Sequence, residues 1–87
     1  MRLKDKVAIV TGAASGFGAG IASRFAAEGA KVALLDINIE AARETAAAAG
    51  NGAIALKCDV TRGDEIAAAV AATLRTFGRL DIVVNNA

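Results

Sequence analysis

Apolar positions along the chain follow two rhythms. Lys6-Val7-Ala8-Ile9-Val10-Thr11 and Lys31-Val32-Ala33-Leu34-Leu35-Asp36 are short runs without alternation, so they read as strands covered on both faces. Ala53 to Cys58 is a third such run, less apolar, as suits a sheet edge, and Leu80 to Val84 is a fourth. Longer Ala-rich stretches between them predict helices. The first runs from Gly16 to about Glu28, with Ile21 and Phe25 on one face and Gly29 as its stop. The second covers Ile39 to Ala49 and ends at Gly50-Asn51-Gly52. For the third, Thr61 followed by Asp64 is a capping signal. Ile66, Val70, Leu74 and Phe77 then form a stripe at helical spacing, and Gly78 closes it. Strands and helices of these lengths in strict alternation predict βαβ units and a parallel sheet.

Composition removes whole classes of chemistry. The 87 residues suffice for one small domain, and they include no His, Tyr, Trp or Pro, with one Cys and one Met. Without His there is no Ser-His-Asp or Cys-His machinery, and one Cys builds neither a disulfide nor a Cys-rich zinc site. Ten basic and nine acidic residues give a net charge of +1, which leaves no electrostatic footprint for nucleic acid. Val7 to Ser23 is uncharged and follows a basic stretch, in the manner of a signal peptide. Gly12, Gly16, Gly18 and Gly20 interrupt it, however, each costing a helix interior roughly 1 kcal/mol relative to Ala. The targeting reading therefore falls, no segment reads as a membrane span, and the expected location is the cytoplasm.

The informative segment is Thr11-Gly12-Ala13-Ala14-Ser15-Gly16-Phe17-Gly18, between the first strand and the first helix. A helix N-terminus presents unpaired N–H groups and the positive end of its dipole, which favours an anion such as a pyrophosphate. Glycines there allow a tight turn and close approach of the backbone. The spacing G-x-x-x-G-x-G is neither G-x-G-x-x-G nor a P-loop, since no Lys follows the last glycine. On glycines alone, a purely steric turn explains it as well; its place directly after the first strand favours phosphate binding.

Asp36 ends the second strand, 24 residues after Gly12 and 18 after Gly18. That is close to the interval of about 20 residues at which an acid holds the ribose of a dinucleotide. A carboxylate accepts hydrogen bonds from both ribose hydroxyls and repels a 2′-phosphate, and neither Ile37, Asn38 nor Ser15 offers a cation to offset the repulsion. This favours NAD over NADP. The alternative is that Asp36 or Asn38 only caps the second helix.

Taken together, Thr-Gly-x-x-x-Gly-x-Gly at Thr11 to Gly18, Asp36, Asp59-Val60 and Asn85-Asn86-Ala87 resemble the short-chain dehydrogenases/reductases, in that family's order and across all 87 residues. The resemblance implies an α/β fold: a Rossmann-like doubly wound parallel sheet, βαβαβαβ, with strand order 3-2-1-4, truncated after the fourth strand. It implies that Gly12, Ser15, Gly16, Phe17 and Gly18 line the pyrophosphate and nearby ribose. Asp59 would meet the adenine by its side chain and Val60 by its backbone. Asn86 would contact the cofactor near the nicotinamide, while Asn85 and Thr11 brace the sheet centre. Turn roles remain open for Asp59 and for Asn85-Asn86. Phe17 departs from the family's smaller aliphatic residue, and Gly20 should weaken the first helix slightly. Cys58 reads as a buried small hydrophobe without a redox role.

The family's catalytic Ser, its Tyr-x-x-x-Lys pair and a further helix Asn lie beyond Asn-Asn-Ala, and no Tyr occurs anywhere in this chain. The expectation is thus the N-terminal half (1–87) of a dinucleotide-binding domain. Its parent would be an NAD(H)-dependent oxidoreductase acting on a small alcohol or ketone, a tetramer or dimer with no nucleic-acid or membrane partner. This chain alone is expected to be inactive, with no catalytic or metal-binding residue. The competing expectations are a non-catalytic NAD-binding module and a half-domain completed by another chain. A sheet ending at the fourth strand should leave Leu80 to Val84 at an open edge, with part of one face uncovered.

Overall fold

A computed structural model describes residues 2–86. Four strands and three helices alternate: β1 (Val7–Thr11), α1 (Gly16–Ala27), β2 (Lys31–Asp36), α2 (Ile39–Ala49), β3 (Ile54–Lys57), α3 (Gly63–Phe77) and β4 (Ile82–Val84). The sheet is parallel throughout, in the order β3-β2-β1-β4. The α/β class, the alternation and the strand order anticipated from the sequence are all present.

The unbroken apolar runs are explained by burial on both faces. Every residue of β1 is buried, as are Val32 to Leu35 of β2. With a side-chain period of two, Val10, Val32 and Leu34 point to one face, where Ala22 and Ala26 of α1 and Ala46 of α2 cover them. Ile9, Ala33 and Leu35 point to the other face and meet Cys58 and Ala69 of α3. Small residues on the helices bring them close to the sheet. Hence the face of α1 that is fully buried runs through Gly18, Ala22 and Ala26, while Ile21 and Phe25 flank it half-buried.

Several boundaries differ from the sequence reading. β1 starts at Val7 because the preceding residues form a turn, with Lys6 N–H donating to the Leu3 carbonyl at 3.0 Å. β3 and β4 are shorter than anticipated, although Cys58 N–H still reaches the Asp36 carbonyl at 3.1 Å. Before β4, Asp81 replaces ladder geometry with a reciprocal pair. Its N–H donates to the Val7 carbonyl and its carboxylate accepts from Val7 N–H, both at 2.9 Å. Arg79 holds that carboxylate from the other side at 2.7 Å, and this ion pair, with the Val7 N–H, keeps the Asp81 carboxyl below its ordinary range.

The third helix corrects two expectations. Its cap position is Arg62, with no side-chain cap, because the Thr61 hydroxyl donates instead to Asp59 Oδ1 at 2.7 Å. Its buried line runs through Ala69 and Thr73, with Val70 and Phe77 packed beside it. Ile66 and Leu74 of the anticipated stripe are 38% and 44% exposed. β4 is an edge strand, as expected, and Val83 is 61% exposed over a groove shared with Ile9, Ile66 and Val70.

Candidate functional site

Three segments converge at the C-terminal ends of the strands: the turn from β1 into α1, the end of β2, and the turn after β3. The sheet order creates the crevice there, because β1 and β2 run on into helix α1 and helix α2 on one face while the chain after β3 crosses to the other.

The glycine turn is shaped by its own hydrogen bonds. Gly12 sits at φ +62°, and a Cβ there would lie 2.8 Å from the Asn86 carbonyl oxygen, so the position requires glycine both for conformation and for space. Ser15 caps α1. Its Oγ accepts from Gly18 N–H at 3.1 Å and from Asn86 Nδ2 at 2.9 Å, and donates to the Gly12 carbonyl at 2.8 Å. The donor and both lone pairs of this hydroxyl are therefore used inside the turn. The next two amides are different. Among the described residues, Gly16 N–H and Phe17 N–H have no protein acceptor. They form the open, positive end of α1, with no Cβ at Gly16 to shield it and nothing within 4 Å of where one would be. The Phe17 ring beside them is 83% exposed.

Asp36 closes the turn from below. Its Oδ2 accepts from Ala14 N–H and its Oδ1 from Asn38 N–H, each at 2.9 Å. Capping of α2 falls to Asn38, whose Oδ1 accepts from Ala41 N–H at 3.2 Å. So the two capping candidates of the sequence reading are separated: Asn38 caps, and Asp36 spans the glycine turn and the start of α2. Each Asp36 oxygen keeps one lone pair for a further donor.

A cavity of about 160 Å³ opens beside it, lined by Gly12, Leu35, Asp36, Ile37, Cys58, Asp59 and Val60. Gly12, Asp36, Asp59 and Val60, singled out separately in the sequence, thus line one cavity, whereas Ser15, Gly16, Phe17, Gly18 and Asn86 lie outside its lining. Asp59 is held by Thr61, whose hydroxyl and N–H both donate to its Oδ1; these bonds hold its carboxyl below the ordinary range. The Cys58 thiol is driven upward by burial and then by the neighbouring Glu65 and Asp59 charges, so it remains a protonated, inert wall.

At the far side, Thr11 joins β1 to the end of β4. Its hydroxyl lies 3.1 Å from Asn85 Oδ1 and accepts from Asn86 N–H at 2.9 Å. Asn86 reaches across to the glycine turn through Nδ2, at 2.9 Å from Ser15 Oγ and 3.5 Å from the Gly12 carbonyl. Ala87, the last residue of that motif, lies outside the described residues. Two further residues grip the site and were not singled out in the sequence. Thr45 of α2 donates to the Ala13 carbonyl at 3.3 Å, and Glu65 of α3 accepts from Asp59 N–H at 2.9 Å. A Thr within an Ala-rich helix and an acid in a first helical turn have ordinary local explanations, so neither leaves a signal of its own.

Known proteins are similar to this chain in sequence and fold. A galactitol 2-dehydrogenase from Agrobacterium fabrum is 55% identical over 87 residues, covering 100% of this chain and 34% of its own length. A sorbitol dehydrogenase from Cereibacter sphaeroides is 49% identical over 87 residues, again covering 100% and 34%. Among solved structures, a 3-ketoacyl-(acyl-carrier-protein) reductase from Brucella melitensis complexed with NADH superposes with a TM-score of 0.89 at 44% identity, over 93% of this chain and 33% of that one. The chain spans about a third of the length of the curated relatives it matches. A family model described as short chain dehydrogenase matches residues 6–87, nearly the whole chain, and with the parallel sheet and glycine turn in place the conclusion follows: this chain belongs to the short-chain dehydrogenase family.

Proposed function

We propose that this chain is the cofactor-binding N-terminal part of an NAD(H)-dependent oxidoreductase that exchanges hydride with a small alcohol or ketone. The fit of a dinucleotide rests on three features. Two amides without an acceptor among the described residues, Gly16 and Phe17, point from a helix N-terminus, as a pyrophosphate requires. Asp36 keeps two lone pairs at the mouth of the cavity for the adenosine ribose. Asp59 and Val60 line the same cavity, where the base would lie. Gly12, Gly18 and Ser15 give the turn its shape, and Asn86 fixes it to β4 on the side where the nicotinamide would extend. A bound nicotinamide supplies or accepts the hydride; the residues of this chain bind and orient, and none of them is assigned a catalytic role.

The observation that carries the choice of NAD is the Asp36 carboxylate, fixed in place by two backbone N–H groups. Among the described residues, none that line its cavity is cationic. A 2′-phosphate about 4 Å from Asp36 would be opposed by ~1 kcal/mol per charge pair in water and ~4 kcal/mol at an effective dielectric of 20. Asp36→Ala should therefore reduce the NADH:NADPH affinity ratio by about tenfold or more in a fluorescence titration. An unchanged ratio removes Asp36 from the ribose. The galactitol and sorbitol dehydrogenases among the relatives make polyols the first substrates to assay in the whole protein.

A further inference from the structure

Glu65 is placed where neither helix stability nor cofactor charge requires it. An acid in the first turn of α3 already suits the helix dipole when it simply faces water. Instead its Oε1 turns back six residues and accepts from the part-buried Asp59 N–H at 2.9 Å, while Oε2 lies 3.3 Å from Arg62 Nε. The segment it grips belongs to no regular element, since β3 ends at Lys57 and α3 begins at Gly63. Asp59 and Val60 in that segment form one wall of the cavity; Leu35, Asp36, Ile37 and Gly12 form the other.

The turn is thus held at two points of one residue. Thr61 fixes the Asp59 carboxylate from the chain ahead, and Glu65 fixes the Asp59 amide from the helix beneath. The carboxylate anchor sets where the side chain points. The amide anchor sets where the peptide plane lies, and with it the direction in which Val60 leaves the turn. A backbone N–H that loses its acceptor in a part-buried position swings to find water, which would carry the wall with it.

We propose that Glu65 is a positioning residue of the cofactor site, whose carboxylate, through the Asp59 amide, sets the wall that receives the adenine end of the dinucleotide. This rests on the cofactor reading above. It separates two halves of the ligand: the adenosine moiety depends on Glu65, and the nicotinamide moiety does not.

The test uses the whole protein and two ligands, NADH and reduced nicotinamide mononucleotide, which lacks the adenosine. Fluorescence titrations compare wild type, Glu65→Ala and Glu65→Gln. Glu65→Ala should weaken NADH by about tenfold while mononucleotide affinity stays within about twofold of wild type. Glu65→Gln keeps an acceptor oxygen and should bring NADH back to within about twofold of wild type. Unchanged NADH binding in Glu65→Ala overturns the proposal, and so does equal weakening of both ligands, which would mean general loosening. Failure of Glu65→Gln to recover overturns it as well. If Glu65→Ala does not fold, Glu65→Asp, one methylene too short to reach the amide, takes its place with the same outcomes. A wild-type protein that binds no NADH overturns the cofactor reading itself, a result distinct from any confined to the variants.

Discussion

Two glycines in α1, two residues apart, should respond to the same substitution with opposite signs. Gly20 is exposed, and a Cβ added there meets nothing within 4 Å. Gly20→Ala therefore gains only the helix propensity difference, about 0.5–1 kcal/mol. Gly18 is buried against the glycine turn. Its Cβ would overlap the Gly12 carbonyl oxygen and come within 2.9 Å of both the Gly12 carbonyl carbon and the Ala13 Cα. All three atoms are backbone, so no rotamer change relieves the contact; α1 must move away from the turn. Overpacking of this kind costs about 1–3 kcal/mol, and the upper end applies when backbone meets backbone. Subtracting the propensity gain leaves Gly18→Ala destabilised by about 1–2 kcal/mol, some 2–3 kcal/mol below Gly20→Ala.

The cost should also reach the ligand. The Gly12 carbonyl that a Gly18 Cβ pushes is the acceptor of both the Ser15 N–H and the Ser15 hydroxyl. Displacing it opens the cap that aims the Gly16 and Phe17 amides, so NADH affinity should fall in Gly18→Ala and hold in Gly20→Ala. Urea unfolding followed by circular dichroism gives the stability order, read from midpoints at constant slope; NADH fluorescence gives the second. Equal midpoints for the two variants, or wild-type NADH affinity in Gly18→Ala, would refute the packing argument.

Two other perturbations address the anchors at the ends of β4. Asp81 has its folded-state pKa lowered by the Arg79 ion pair and the Val7 N–H, so its stabilisation is present above the unfolded carboxylate value of about 4 and is lost as pH falls through the lower folded value. The advantage of wild type over Asp81→Asn should shrink in urea midpoints taken from neutral pH down into that acid range; a gap that stays constant contradicts the assignment. Thr11→Val keeps the volume of a buried side chain but removes the acceptor of Asn86 N–H, and should destabilise by about 1–3 kcal/mol. A loss below about 0.5 kcal/mol in the same assay would show that this hydroxyl is not what joins β1 to β4.

The sequence reading succeeded where one local rule acts without a rival. β2 and α2 fall at the boundaries read from the pattern, because Lys31 to Asp36 is uninterrupted and Gly50-Asn51-Gly52 stops α2 outright. It failed at the start of α3, where two local rules competed for one hydroxyl. Thr61 was read as a cap from Asp64, but the Asp59 carboxylate two residues earlier offers a charged acceptor at 2.7 Å, and the helix begins one residue later without a side-chain cap. The stripe on α3 failed for a different reason. Periodicity fixes that a helix has an apolar face, but Ala at 67, 68, 69, 71 and 72 supplies a second one. Close approach to the sheet selected the smaller Ala69 and Thr73.

The site divides along the same line. The glycine turn and Asp36 could be picked out as candidates because glycine spacing and strand position are local features of the chain. Their supports were not. Thr45 reaches the turn from 32 residues away, Asn86 reaches Ser15 from 71, and neither bond leaves a periodicity. The Asn86 amide, expected to contact the cofactor near the nicotinamide, lies 2.9 Å from Ser15 Oγ and 3.5 Å from the Gly12 carbonyl and so also braces the turn. A mobile turn would lose part of its binding energy to ordering when a dinucleotide arrives. Here β2, α2 and the segment after β4 each donate or accept at a different atom of the turn, through Asp36, Thr45 and Asn86, so its shape is set before any ligand is present. The glycines make the turn able to take that shape; the distant polar residues make it hold, which is why a motif search finds the first and only a three-dimensional structure finds the second.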